Sequence, residues 1–140
     1  MTLADQLRRD EGVKLSAYQD SLGYWTIGVG RLIDARRGGG ISQEEADFLL
    51  ANDIKNVTNA LYGHMPWTID LDPVRLAVLQ NVAFNVGIAG LLGFHQTLAK
   101  VQSGDYAGAA DDMLASKWAT QVGARAERLA QQMRDGGEIV

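Results

Sequence analysis

The segment from Pro73 to Val86 limits the possible folds more than any other. Apolar residues stand at Val74, Leu76, Val78, Leu79, Val82, Ala83 and Val86, too many for the single stripe of a surface helix. A helix apolar on most of its circumference has to be enclosed by others, so the chain needs a helical body around this segment. Asp72 before Pro73 marks its start: proline at the first helical position gives up no hydrogen bond. Asn85-Val86-Gly87 marks its end, with glycine free to take positive φ at the cap.

The flanking sequence supplies the rest. Thr2 and Asp5 form a capping-box pattern, and Leu3 and Leu7 share a face, which predicts a helix over 3–11 ended by Gly12. From Lys14 to Leu32 the residues turn to Tyr, Trp, Thr, Ile and Val, with a turn at Ser21-Leu22-Gly23, predicting a small β-hairpin. Residues 34–40, DARRGGG, read as a flexible loop. Ser42 and Glu45 make a second capping box, and the periodic Ala46, Leu49, Leu50, Ile54 and Val57 predict one helix from Gln43 to Leu61. Residues 63–72 connect it to the central helix. Shorter helices follow over 94–103, 105–115 and 124–134, punctuated by Gly93, Gly104 and Gly123. The expectation is an α+β, mostly helical, single domain over 1–140. A hairpin lobe (about 12–52) is joined by the long helix to a helical lobe (about 1–11 plus 60–140), with a ligand groove between them.

Composition removes several classes of function. There are no cysteines and only two histidines, His64 and His95, so neither a disulfide framework nor a protein-built metal site is expected. The formal net charge of −4 is wrong for a nucleic-acid binder that works by phosphate neutralisation. It is equally wrong for an amphipathic terminal helix, residues 124–134, disrupting anionic membranes. Uninterrupted apolar runs are far shorter than the roughly 20 residues of a membrane span. The amino-terminal MTLADQLRRDEG does not read as a signal peptide; a cytosolic origin is expected.

Chemistry concentrates in residues 8–34, RRDEGVKLSAYQDSLGYWTIGVGRLID. Glu11 falls at a helix C-terminus, where the negative end of the helix disfavours a second negative charge, a setting suited to a proton donor. Asp20 precedes a tight turn and Thr26 lies on the next strand. Glycosidic cleavage needs an acid for the leaving oxygen and a second carboxylate for water or direct attack. An acid, a carboxylate and a hydroxyl suffice, with no cofactor. A Glu and an Asp nine residues apart prove little alone, but the whole string is specific. Glu11-Gly12, Leu15, Tyr18, Asp20, Gly23, Thr26-Ile27-Gly28 and Gly30 resemble the signature of the phage-type lysozymes, endolysins of glycoside hydrolase family 24. The signature's leading arginine would be Arg8 or Arg9. AVLQNVAFNVGIAGLLGF (77–94) is similar to that family's core helix, and residues 103–136, with Trp118 and Arg125, to its closing helices.

The resemblance implies a lysozyme-like fold and a muramidase. It would hydrolyse the β-1,4 bonds between N-acetylmuramic acid and N-acetylglucosamine in bacterial peptidoglycan, lysing the host cell. It implies Glu11 as general acid, with Asp20 and Thr26 activating water for inversion, which requires carboxyl groups about 6.5–9.5 Å apart. Substrate contacts carried over by position are Gly30, Leu32, Phe84, Thr97, Gln121 and Arg125; core packing competes for Leu32 and Phe84, and solvent for Thr97. A monomer without stable membrane insertion is implied, released from the host cytoplasm to the wall through holin lesions. Arg31 departs from the pattern, standing where relatives carry His, and an Arg31–Asp53 ion pair tying hairpin to long helix is the expected replacement. The competing readings are an inactive peptidoglycan-binding module of the same fold, a hydrolase of chitin-type polymers and a membrane-disrupting helix.

Overall fold

The computed structural model describes residues 1–137. The chain divides into two compact units, Met1–Leu49 and Leu50–Val140.

The first unit opens with α1 (Leu3–Glu11), whose capping box forms as expected: the Asp5 N–H donates to Thr2 Oγ1 and the Thr2 N–H to the Asp5 carboxylate. Gly12 ends it at φ 77°. The sequence reading groups this helix with the helical body, but it lies in the sheet-bearing unit, where two residues join it to β1 and its last side chain rests on Gly30. Three antiparallel strands follow in the order β1 (Lys14–Gln19), β2 (Trp25–Gly28), β3 (Arg31–Leu32). The register pairs Tyr18 with Thr26 and Thr26 with Leu32. Residues directly opposite one another share a face, so Thr26 lies between Tyr18 and Leu32. Gly28 and Gly30, at φ 70° and 69°, make the short link from β2 to β3 possible.

The segment expected as a loop over 34–40 contains a 3-10 turn, Ala35–Arg37. Asp34 caps it by accepting the Arg36 N–H, and Gly38 closes it in the left-handed conformation. Then α2 (Gln43–His64) begins on the Ser42–Glu45 capping box and runs three residues past the expected end, into the second unit.

The second unit contains every buried apolar side chain of the described residues, from Leu61 to Met133. Its central helix α3 (Pro73–Leu92) starts where Asp72 accepts the Arg75 N–H and breaks at Gly87, φ 80° and ψ 163°, as the Asn85-Val86-Gly87 signal predicts. Leu79, Val82 and Ala83 are buried beside a fully enclosed Val78, each of the larger ones contributing about 1.5–3 kcal/mol by leaving water. By length and composition α3 alone among the described helices could cross a membrane, but its Val78, Leu79, Val82, Ala83 and Leu91 are buried in the core. Around it stand α4 (His95–Ser103), α5 (Tyr106–Ala115), α6 (Lys117–Val122) and α7 (Ala124–Asp135); α5 packs on α4 and α7, and α7 on α3. The sequence reading misses α6, a six-residue helix between Ser116, which caps it, and Gly123. Trp118 on α6 is buried, edge-on to Phe94 with centroids 6.1 Å apart, and its indole N–H donates to Asn85 at 2.8 Å.

Candidate active site

In the first unit one turn positions two of the three expected catalytic groups. Asp20 Oδ1 accepts the N–H groups of Leu22 and Tyr24, each at 2.9 Å, while its own N–H donates to the Tyr24 carbonyl at 2.8 Å. The Thr26 hydroxyl donates to that same carbonyl at 3.0 Å. The peptide groups of Tyr24 thus tie Asp20 and Thr26 to a single frame. Oδ2 of Asp20 accepts no hydrogen bond among the described residues, and the Thr26 oxygen keeps its lone pairs. Thr26 is 2% exposed and so shielded from bulk solvent.

Glu11 comes to the same unit from the end of α1, with an exposed side chain. A β-carbon at Gly30 would lie 2.9 Å from Glu11 Oε2, so Gly30 serves as the floor against which that carboxyl lies. The set can offer a proton from Glu11 and an acceptor with a hydroxyl from Asp20 and Thr26. Leu32, opposite Thr26 on β3, is half-buried.

Arg31 meets a different carboxylate from the one expected. Its Nη1 donates to Glu45 Oε1 and to the Gly40 carbonyl, both at 3.1 Å, where the sequence reading has Asp53. The guanidinium on its long stem reaches the first turn of α2, and Glu45 is already turned back there by its cap. The Ser42 N–H, and after it the Arg31 side chain, hold the Glu45 carboxyl below its ordinary range. The pair still joins hairpin to long helix. Asp53 instead lines a cavity of the second unit with Asn56, Phe84 and Gly87.

The other expected substrate contacts belong to the second unit. Phe84, 46% exposed, and Arg125 line a cavity of about 300 Å³ together with Leu50, Ile54, Gln80 and Asn81. Phe84 is therefore not a core residue. Arg125 is oriented by Asn81, whose Oδ1 accepts Nε at 3.0 Å and Nη2 at 2.6 Å. Thr97 is buried rather than solvent-facing and lines a separate cavity with Phe94, His95 and Ser116. Gln121 is exposed on α6. The sequence reading overlooks Tyr24 and Asn81; Tyr24 lies inside the quoted motif, but its role is carried by backbone groups, which a sequence does not display.

A family model described as phage lysozyme matches residues 8–134. Among individual proteins, the chain is 30% identical to the pre-baseplate central spike protein Gp5 of Enterobacteria phage T4, over 92% of this chain but only 27% of that one. It is 26% identical to a probable T4-type lysozyme of Dictyostelium discoideum, covering 96% of this chain and 95% of its relative. To an endolysin of Acyrthosiphon pisum secondary endosymbiont phage 1 the identity is 32%, with 80% and 73% covered.

Proposed function

The chain belongs to the phage lysozyme family, and on that premise we propose that it is a muramidase, cleaving the β-1,4 bonds from N-acetylmuramic acid to N-acetylglucosamine in bacterial peptidoglycan. The observation that carries the reading is the turn at Tyr24, which fixes Asp20 and Thr26 on one frame while Gly30 seats Glu11. Glu11 protonates the leaving glycosidic oxygen. Asp20, through its free Oδ2, and the Thr26 hydroxyl orient and deprotonate the water that attacks the opposite face of the sugar, inverting the anomeric centre. Gly30, Leu32, Phe84, Thr97, Gln121 and Arg125 are proposed substrate contacts; Phe84 offers an apolar face and Arg125 a fixed pair of donors. No metal or cofactor is needed for this set.

The test is turbidity loss of outer-membrane-permeabilised Gram-negative cells, with wild type and Glu11→Gln in parallel and the products sized by mass spectrometry. Wild type should release disaccharide-peptides with a reducing N-acetylmuramic acid end, and Glu11→Gln should not. Equal lysis by both would transfer the activity to membrane disruption. No lysis by either would favour a wall-binding module without activity. Proton NMR of the first product decides the stereochemistry: an initial α-anomer supports inversion, an initial β-anomer removes the water-activating role from Asp20. In the biological setting we propose, the protein is a monomeric endolysin, made in the host cytoplasm and released to the wall through holin lesions.

The match to the phage T4 spike protein over nearly the whole chain favours one second reading, in which the same hydrolase is a domain of a spike protein. Immunoblotting purified particles against infected-cell lysate separates the two.

A further inference from the structure

The 3-10 turn that interrupts the glycine loop builds a cavity the catalytic set does not use. It lies in the first unit, holds about 450 Å³ and is lined by Gly23, Tyr24, Trp25, Asp34, Arg36 and Arg37. Its two arginines differ in electrostatic state. Arg36 is bound at both oxygens of Asp34, the closest contact being 2.7 Å. That side-chain contact, with the Arg36 N–H, holds the Asp34 carboxyl down to about 2. Arg37 makes no ion pair among the described residues. Its guanidinium lies over the Tyr24 ring, 4.1 Å from the centroid, and donates to the Tyr24 hydroxyl. This is a cation held in place by an aromatic ring; the Asp34 carboxylate feels its charge but is hydrogen-bonded to Arg36 instead. Beside it Trp25 leaves 54% of its surface exposed, an apolar face next to a seated charge.

We propose that this cavity is a carboxylate subsite, in which Arg37 binds a free carboxylate of the short peptide branching from the glycan while Trp25 covers the peptide's apolar part. The inference rests on the peptidoglycan reading and adds to it a determinant on the peptide side of the substrate. Guanidinium and carboxylate are matched for paired hydrogen bonding, and Tyr24 occupies one part of the guanidinium, leaving its other edges to a ligand. Tyr24 is also the residue whose backbone frames Asp20 and Thr26, so a ligand on Arg37 is registered against the catalytic turn.

The experiment uses the whole chain, labelled for ¹H–¹⁵N spectra and titrated with N-acetyl-alanyl-glutamate or its diamide. The dicarboxylate should shift the Trp25 indole and Arg37 guanidinium signals saturably, and the diamide should bind at least fivefold more weakly. Arg37→Gln should abolish saturation, whereas Arg128→Gln, the same charge change at an exposed position on α7, should preserve it. Absence of a saturable shift, or equal loss in both variants, overturns the subsite. In turnover, Arg37→Gln should lower the kcat/KM preference for peptide-bearing over peptide-stripped glycan about fivefold; an unchanged preference overturns it too. Peptide binding by a protein that cleaves neither glycan would refute the hydrolase while upholding the subsite. Cleavage without peptide binding would do the reverse.

Discussion

At the scale of single residues, the candidate site depends on a side chain that is missing. Gly30 has φ 69°, and a β-carbon there would meet the Glu11 carboxyl at 2.9 Å. Gly30→Ala should therefore act twice. An L-residue in this conformation costs about 1–2 kcal/mol of stability, and the displaced Glu11 loses its position relative to the bond we propose it protonates. Misplacement of a catalytic group by about 1 Å costs on the order of 100-fold in rate. The expected outcome is a modest fall in melting temperature with a loss of turnover far larger than unfolding explains, measured on folded protein at 25 °C. A melting shift with undiminished turnover would remove Gly30 as the seat of Glu11. The correction at Arg31 belongs to this scale as well. The sequence reading anticipates a cationic tie from hairpin to long helix, but its partner, Glu45, is hidden within the Ser42 capping box, a pattern that is complete without an arginine.

Elements were more legible than their connections. Capping boxes at Thr2 and Ser42 and the Asp72-Pro73 start each signal through two residues at fixed spacing, and each forms. The 3-10 turn at Ala35–Arg37 and the six-residue α6 are too short for periodicity to show, so only their caps could reveal them. For the candidate site, the motif's spacing is what singles out Glu11, Asp20 and Thr26 in the sequence; Asn81 and Tyr24 carry no such signal, since what they do depends on packing and on backbone groups. Asp72 shows how far a cap can reach. Besides the Arg75 N–H it accepts the Gly137 N–H at 2.8 Å and pairs with Arg75 at 3.2 Å. Arg75 in turn donates to the carbonyls of Met133 and Arg134 and lies 3.6 Å from the centroid of Tyr106. Burial pushes the Asp72 carboxyl up, but the N–H groups of Arg75 and Gly137 and the Arg75 guanidinium outweigh it and leave it below the ordinary 3.8. With a depressed folded value, its contribution is fully present above pH 3.8 and is lost as pH falls through the lower folded value. Asp72→Ala should cost about 1–2 kcal/mol at neutral pH, and the gap from wild type in urea unfolding should close on acidification below 3.8. A gap independent of pH would mean that the carboxylate's charge is not what stabilises the clasp.

For the molecule as a whole, apolar burial is distributed unequally. Among the described residues the buried apolar side chains all lie between Leu61 and Met133, whereas the first unit buries Thr26 and leaves Leu3, Leu15, Ile41 and Phe48 well exposed. Hydrophobic burial is the main favourable term in folding, so the unit that carries Glu11, Asp20 and Thr26 has the smaller share of it. Stability within one chain need not be uniform: amides exchange through local or partial openings wherever these cost less than global unfolding. Native-state hydrogen exchange should therefore find two levels. Amides in the buried stretches of α3, α5 and α7 should exchange only at the free energy of global unfolding. Those of β1 and β2 should exchange at a lower value, by about 2 kcal/mol or more, with a weak dependence on denaturant that marks a partial opening. The Leu22 and Tyr24 amides bound to Asp20 are the most informative, since their opening dismantles the turn that frames Asp20 and Thr26. If they exchange at the same free energy as α3, the two units unfold as one and the turn is held by more than its own hydrogen bonds. If they exchange earlier, the geometry required for the proposed hydrolysis is the least stable part of the protein, and substrate binding at the proposed site should raise their protection before that of any core amide.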